Sequence, residues 1–175
     1  FHASLPYFES GDGGRFVGEF PALVARVLDP AGALATLHRT WLAADGSGKA
    51  LVASPKKLCS PARANALWGA AIRLFPATDR LAIAEGVETA LAVRVLTGLP
   101  VWSAVSAHGL ETVALPQGLA ELTVAGDSDP SGVGERAAHR LAQRAQREGV
   151  PVVKVSIPRL AGDDWLDVLN RRAAP

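Results

Sequence analysis

The chain has 175 residues, of which 49% are hydrophobic and 20% charged, with a formal net charge of +1. This profile excludes wholesale disorder and leaves room for one ordinary domain, or for a compact domain carrying a smaller one. The lone Cys59 excludes a disulfide framework and a Cys-based zinc cluster, and no run reaches the roughly 18 apolar residues of a membrane helix.

In chain order, 22–28 and 33–42 read as two strands around Asp29-Pro30-Ala31-Gly32, a turn in which Pro sets the first angle and Gly accepts positive φ. Asp45-Gly46-Ser47-Gly48 is a second turn signal, followed by a possible third strand at 49–53 and a further short one at 70–74. The first 78 residues thus read as a small β-rich unit. Between 46 and 78 there is no Asp or Glu, while Lys49, Lys56, Lys57, Arg63 and Arg73 all fall there, either as a solvated loop or as a phosphate-contacting surface.

After Pro76 the pattern changes. The apolar run 81–84 reads as a strand and 88–96 as a helix stopped by Gly98-Leu99-Pro100. Further apolar runs at 101–105, 122–125 and 152–155 alternate with longer stretches, including a strongly helical one at 132–148. Such alternation predicts an α/β unit over 79–175, a mainly parallel sheet with flanking helices. In the long helix Val133, Ala137, Leu141 and Ala145 form a buried stripe ahead of a capping Gly149. Arg136, Arg140, Arg144 and Arg147 share another face, read as solvated rather than as a nucleic-acid track.

Two acidic motifs follow predicted strands directly: Glu85-Gly86-Val87-Glu88-Thr89, and Asp127-Ser128-Asp129-Pro130-Ser131-Gly132. In open α/β sheets ligands gather at the carboxyl ends of strands, so parallel neighbours would send both motifs into one crevice. Clustered carboxylates repel and raise one another's pKa, and a divalent cation relieves that cost. Mg²⁺ suits an all-oxygen set and bridges carboxylates to substrate phosphates, with Mn²⁺ as a substitute. Gly126, Pro130 and Gly132 supply the irregular backbone that lets Asp127 and Asp129 point together.

Glu-Gly-x-Glu-Thr after one strand and Asp-x-Asp-x-x-Gly after another resemble the two signature motifs of the Toprim domain, over 79–169. That family includes DnaG-type, phage and plasmid primases, topoisomerases and some nucleases. The resemblance implies a compact parallel-sheet fold in which Glu85 is the acid/base or metal-organising glutamate and Asp127 and Asp129 hold Mg²⁺. Glu88 is either a supporting carboxylate or a first-turn residue favoured by the helix dipole. Gly162-Asp163-Asp164-Trp165-Leu166-Asp167 resembles an acidic segment near the end of phage-type primase Toprim domains, which makes Asp164 a further metal-site candidate, ahead of Asp163 and Asp167. Trp165 reads as core. Leu5-Pro6-Tyr7, His38-Arg39-Thr40 and Pro55-Lys56-Lys57 resemble the segment that precedes Toprim in phage and plasmid primases. His38, Arg39, Lys56, Lys57 and Arg73 are accordingly candidates for template or nucleotide phosphates, with core packing the stronger alternative for His38, while His108, beside Gly109 after the 101–105 run, either lines the crevice or packs there.

The implied activity is primer synthesis: ribonucleotide triphosphates joined on a single-stranded DNA template, with a replicative helicase domain or protein as a partner, in the cytoplasm and away from membrane. A Toprim nuclease uses the same metal with water as nucleophile, and a non-catalytic replication module would use neither. A topoisomerase would need Tyr7 as its nucleophile, and a phosphatase of the haloacid-dehalogenase kind would leave the Glu85 motif unexplained. A chain that opens on Phe1 and contains no Met is expected to be a piece of a longer protein.

Overall fold

The computed structural model describes residues 1–9 and 14–173, and its contacts separate into two compact units, 1–27 with 34–66, and 28–33 with 67–175. Strands β1 (His2–Glu9), β2 (Arg15–Leu28), β3 (Leu34–Trp41) and β4 (Lys56–Leu58) form a sheet in the order β1-β2-β3-β4. β1 pairs with β2 and β3 with β4, both antiparallel. One face buries Tyr7, Ala22, Trp41 and Ala50, with Leu5, Phe20 and Val52 against them. Tyr7 meets Trp41 edge-on at 5.0 Å, and both polar tips are satisfied: the indole N–H donates to Leu5 O and the Ser54 N–H donates to the Tyr7 hydroxyl. Tyr7 is therefore a fully buried core residue, not an exposed nucleophile.

Strand β1 was not apparent from sequence, and β2 starts earlier than the 22–28 run. Pro6 and Pro21 disguise both. Pro21 survives inside β2 because the register shifts between the pairs His2–Ala22 and Leu5–Phe20, so that Ala3 and Ser4 face it across an irregular rung. The strand expected at 49–53 does not form. Trp41 O accepts from Ala50 N and Trp41 N donates to Pro55 O, while Val52 N turns back to Ala50 O, so the chain loops out there and β4 resumes the pairing.

The second unit holds β5 (Ile72–Arg73), β6 (Arg80–Ala84), β7 (Val101–Ser103), β8 (Glu121–Ala125) and β9 (Val152–Ser156), in the order β5-β7-β6-β8-β9. All neighbours are parallel except β5, which runs antiparallel to β7. Helices α1 (Val87–Thr97), α2 (Ala107–Thr112), α3 (Val133–Arg147) and α4 (Trp165–Ala173) cover it. Leu81 and Ile83 of β6 point into a large core with Leu122, Val124 and the α3 residues Ala137, Leu141 and Ala145. The alternate residues Ala82 and Ala84 point the other way, against Ala90 and Val93 of α1. Central β6 is thus buried on both faces, which is why it reads as an unbroken apolar run. Val133 lies outside the expected stripe, 45% exposed at the start of α3. Among the described residues no helix is long and apolar enough to cross a membrane.

Candidate active site

Strands β6 and β8 lie side by side in parallel, with Ala84 opposite Ala125. The chain leaves this rung as Glu85 on one strand and Gly126-Asp127 on the other, so both motifs emerge at the same carboxyl edge of the sheet. Gly126 makes the exit possible: a Cβ there would stand 2.5 Å from Ile157 Cδ1 and 3.0 Å from Ala138 Cβ. Gly132, at φ 64, then turns the loop into α3. Gly134 sits close below, where a Cβ would lie 3.2 Å from both Asp127 O and Asp129 Oδ2.

Asp129 is locked in place. Its Oδ1 accepts from the Ser131 hydroxyl and, at 2.9 Å, from Ser131 N–H, while Oδ2 accepts from Gly134 N–H at 3.0 Å. The Ser131 hydroxyl bond and then the Gly134 amide bond hold its carboxyl at about 2, below the ordinary 3.8, so it is ionised at neutral pH. Asp127 is half-buried beside it. Glu85 is fixed through its main chain: its carbonyl accepts from the Ser103 hydroxyl and Val105 N–H, both at 2.8 Å, and Ala104 N–H donates to Ala84 O. Val105 adopts φ 73, which a β-branched residue rarely does, so the β7–α2 connection is strained where it touches Glu85. Glu88 is half-buried in the first turn of α1.

The third acidic stretch is stitched to the second. Ser128 N–H donates to Asp163 O at 3.0 Å, Gly162 N–H donates to Ser128 O, and Trp165 Nε1 donates to Gly126 O at 3.1 Å. Trp165 packs against Ala82, Ala84 and their neighbours, as a core residue does. Asp164 caps α4: its Oδ1 accepts from Leu166 N–H and Asp167 N–H, and Asp167 Oδ2 accepts in return from Asp164 N–H. Asp163 pairs with Arg171.

Among the described residues no three His, Cys, Asp or Glu side chains stand close enough to enclose a metal ion. Glu85, Asp127 and Asp129 therefore share a strand-end region without making a closed cage. Their donor chemistry, carboxylate oxygen alone, is of the kind Mg²⁺ accepts, an ion that keeps several waters and takes one or two carboxylates together with substrate phosphates. It does not fit Zn²⁺, which favours a compact set of nitrogen and sulfur ligands.

The candidate phosphate contacts separate between the units. In the first, His38, Arg39, Lys56 and Lys57 come together on paired strands, with Arg39 opposite Lys57. His38 is only 6% exposed. Arg39 stacks over Trp41 at 5.0 Å, Lys57 Nζ lies 4.4 Å over the Tyr7 ring and donates to Phe8 O, and Lys56 is exposed. Arg73 belongs to the second unit, stacked 4.8 Å over Trp102 and donating to Asp29 O and Pro30 O. His108 is exposed, edge-on to Trp68. On α3, Arg140 pairs with Glu111 and Arg144 with Glu148, and Arg144 also donates to Glu111 O and Val113 O, so these two arginines fasten α3 to α2.

Sequence reasoning missed Ser103, Val105, Gly134 and Arg171. Gly134 had a visible signal, a second glycine two residues after the Asp-x-Asp-x-x-Gly motif. The αL backbone of Val105 had none.

A family model described as a Toprim domain matches residues 80–174, and one described as a domain of unknown function (DUF7146) matches 1–69. No curated protein sequence matches the chain. Among solved structures, a DnaG catalytic core aligns with TM-score 0.59 and 13% identity, covering 96% of this chain and 53% of that one. A DnaG primase catalytic domain bound to ssDNA aligns with TM-score 0.58 and 12% identity over 94% and 53%, and a DNA primase domain from Pseudomonas aeruginosa with 0.53 and 15% over 95% and 52%. The chain thus spans about half the length of each. At such identities the likeness is one of fold.

Proposed function

The chain belongs to the Toprim domain family, and from that premise we propose that it is the catalytic part of a DNA primase, joining ribonucleotides on a single-stranded DNA template. One observation carries the reading: β6 and β8 are adjacent, parallel and in register at Ala84–Ala125, so the glutamate and aspartate motifs leave the sheet side by side. The fold likeness to primase catalytic cores supports it.

Asp127 and Asp129 would hold Mg²⁺, with Glu85 close by and Asp164 a further ligand. When bound, the ion offsets the charge of a nucleoside triphosphate and polarises its phosphoryl oxygens. Asp129 presents its carboxylate in ionised form, fixed by Ser131 and Gly134. The Glu85 carboxylate takes the proton from the 3′-hydroxyl; that oxygen bonds to the α-phosphate of the next nucleotide, and pyrophosphate leaves. His38, Arg39, Lys56 and Lys57 are the phosphate-contact candidates of the first unit, and Arg73 is that of the second. A replicative helicase domain or protein is the matching partner, and the cytoplasm the matching setting.

The assay uses single-stranded DNA with Mn²⁺ and labelled ribonucleotides. Short labelled RNA that requires template is the expected product. Degraded DNA with no RNA would replace the primase by a Toprim nuclease, and neither activity, with DNA still bound, would leave a binding module.

A further inference from the structure

Helix α4 fully buries none of its residues, and its first, Trp165, packs part-buried against the core on the α1 side of the sheet. Trp165 and the segment leading into the helix make three hydrogen bonds to the aspartate loop, through Gly162 N, Asp163 O and Trp165 Nε1. Two of these bonds form a small main-chain ladder on Ser128, the residue between Asp127 and Asp129. The ladder needs Asp163 to hold one position. Its carboxylate is only 15% exposed and is gripped at both oxygens by the Arg171 guanidinium, with Nη1 3.1 Å from Oδ1 and Nη2 on Oδ2. Such a two-point fork fixes orientation as well as distance. Asp164, through Oδ1, and Asp167 cap the helix that carries Arg171.

We propose that Asp163 and Arg171 are positioning residues: their ion pair clamps α4 onto Ser128 and thereby sets where the Asp127 and Asp129 carboxylates stand. This rests on the metal-site reading above. Neither residue needs to touch metal or substrate; the force passes through the Ser128 peptide. Partners of this indirect kind, when removed, cost metal sites roughly tenfold to a hundredfold in affinity or activity.

The test compares the full chain with Arg171→Ala, Asp163→Asn and the exchanged pair Asp163→Arg/Arg171→Asp. Hydrogen exchange across 126–132 and 160–164 is measured without metal, and Mn²⁺ affinity by electron paramagnetic resonance. Each single change is expected to speed exchange in those segments while β6 and β8 stay protected, and to weaken Mn²⁺ roughly tenfold or more. The exchanged pair is expected to recover most of both. Unchanged exchange and affinity in Arg171→Ala would overturn the proposal, as would an exchanged pair as impaired as Asp163→Asn, which would make Asp163 itself a ligand. If the wild type takes no Mn²⁺, the metal-site reading falls and the exchange arm alone decides the clamp. If the clamp behaves as expected and no primer is made, the primase reading falls and the clamp stands.

Discussion

Asp127→Asn is expected to lower primer synthesis by about a thousandfold while leaving the fold intact. The change keeps side-chain size and removes one negative charge from the strand-end carboxylates. A metal clamp supplies several kcal/mol of transition-state stabilisation, and about 4 kcal/mol corresponds to a thousandfold at 1.36 kcal/mol per decade. The loop should keep its shape, because Ser128 is held by main-chain bonds to Gly162 and Asp163, and Asp129 by Ser131 and Gly134. Steady-state assays at saturating nucleotide, with thermal unfolding as the control, check this. Full activity in the variant would remove Asp127 from the site.

The second large effect concerns stability. Gly109, inside the six-residue helix α2, lies so close to the end of β7 that a Cβ would stand 2.0 Å from Ala104 O and 3.1 Å from Ala104 C. Both are backbone atoms, and neither can swing aside. Ala104 N–H donates to Ala84 O and Val105 N–H to Glu85 O, so moving Ala104 also disturbs the glutamate motif. Gly109→Ala is therefore expected to destabilise the protein by about 3 kcal/mol or more, a fall in Tm of roughly 6–12 °C for a chain of this size. Calorimetry checks it. A Tm within a degree of wild type would mean that α2 does not approach Ala104 so closely in solution.

The second unit was more legible in the sequence than the first. The runs 81–84, 122–125 and 152–155 are short, largely apolar and bounded by turn residues, and each became a parallel strand, the first buried on both faces and the last an edge strand with Val152 and Lys154 exposed. The two acidic motifs could be read as neighbours because parallel strands deliver their loops to one edge. The elements that escaped notice were held by forces with no periodic signature. Helix α2 is short and carries a glycine where a helix former is expected; its start depends on Ser106 accepting from Gly109 N–H. Helix α4 lacks a buried stripe and is fixed by the Asp164–Asp167 cap and the indole of Trp165. Strand β1 is masked by Pro6, tolerated at the sheet edge.

The cationic residues show the same limit from another side. Charge density and the resemblance singled out Lys57, Arg39 and Arg73, yet each stacks on an aromatic ring: Lys57 on Tyr7 and Arg73 on Trp102, both far away in sequence, and Arg39 on Trp41, two residues further along β3. Lys56 alone among the four Lys and Arg candidates is both cationic and exposed. Nothing in local composition separates it from Lys57; the distinction comes from alternation on β4, which turns one lysine to solvent and the next across Tyr7.

In the proposed mechanism one metal ion is shared by the Glu85 and Asp127 motifs. Replacing Mg²⁺ by Fe²⁺ in the unmutated protein, with ascorbate and peroxide, generates radicals that cut the backbone beside the bound ion, and mass spectrometry locates the cuts. The result predicted is cleavage in both 85–88 and 127–129, suppressed by excess Mg²⁺. Cleavage confined to one of the two loops, or a pattern indifferent to Mg²⁺, would contradict it.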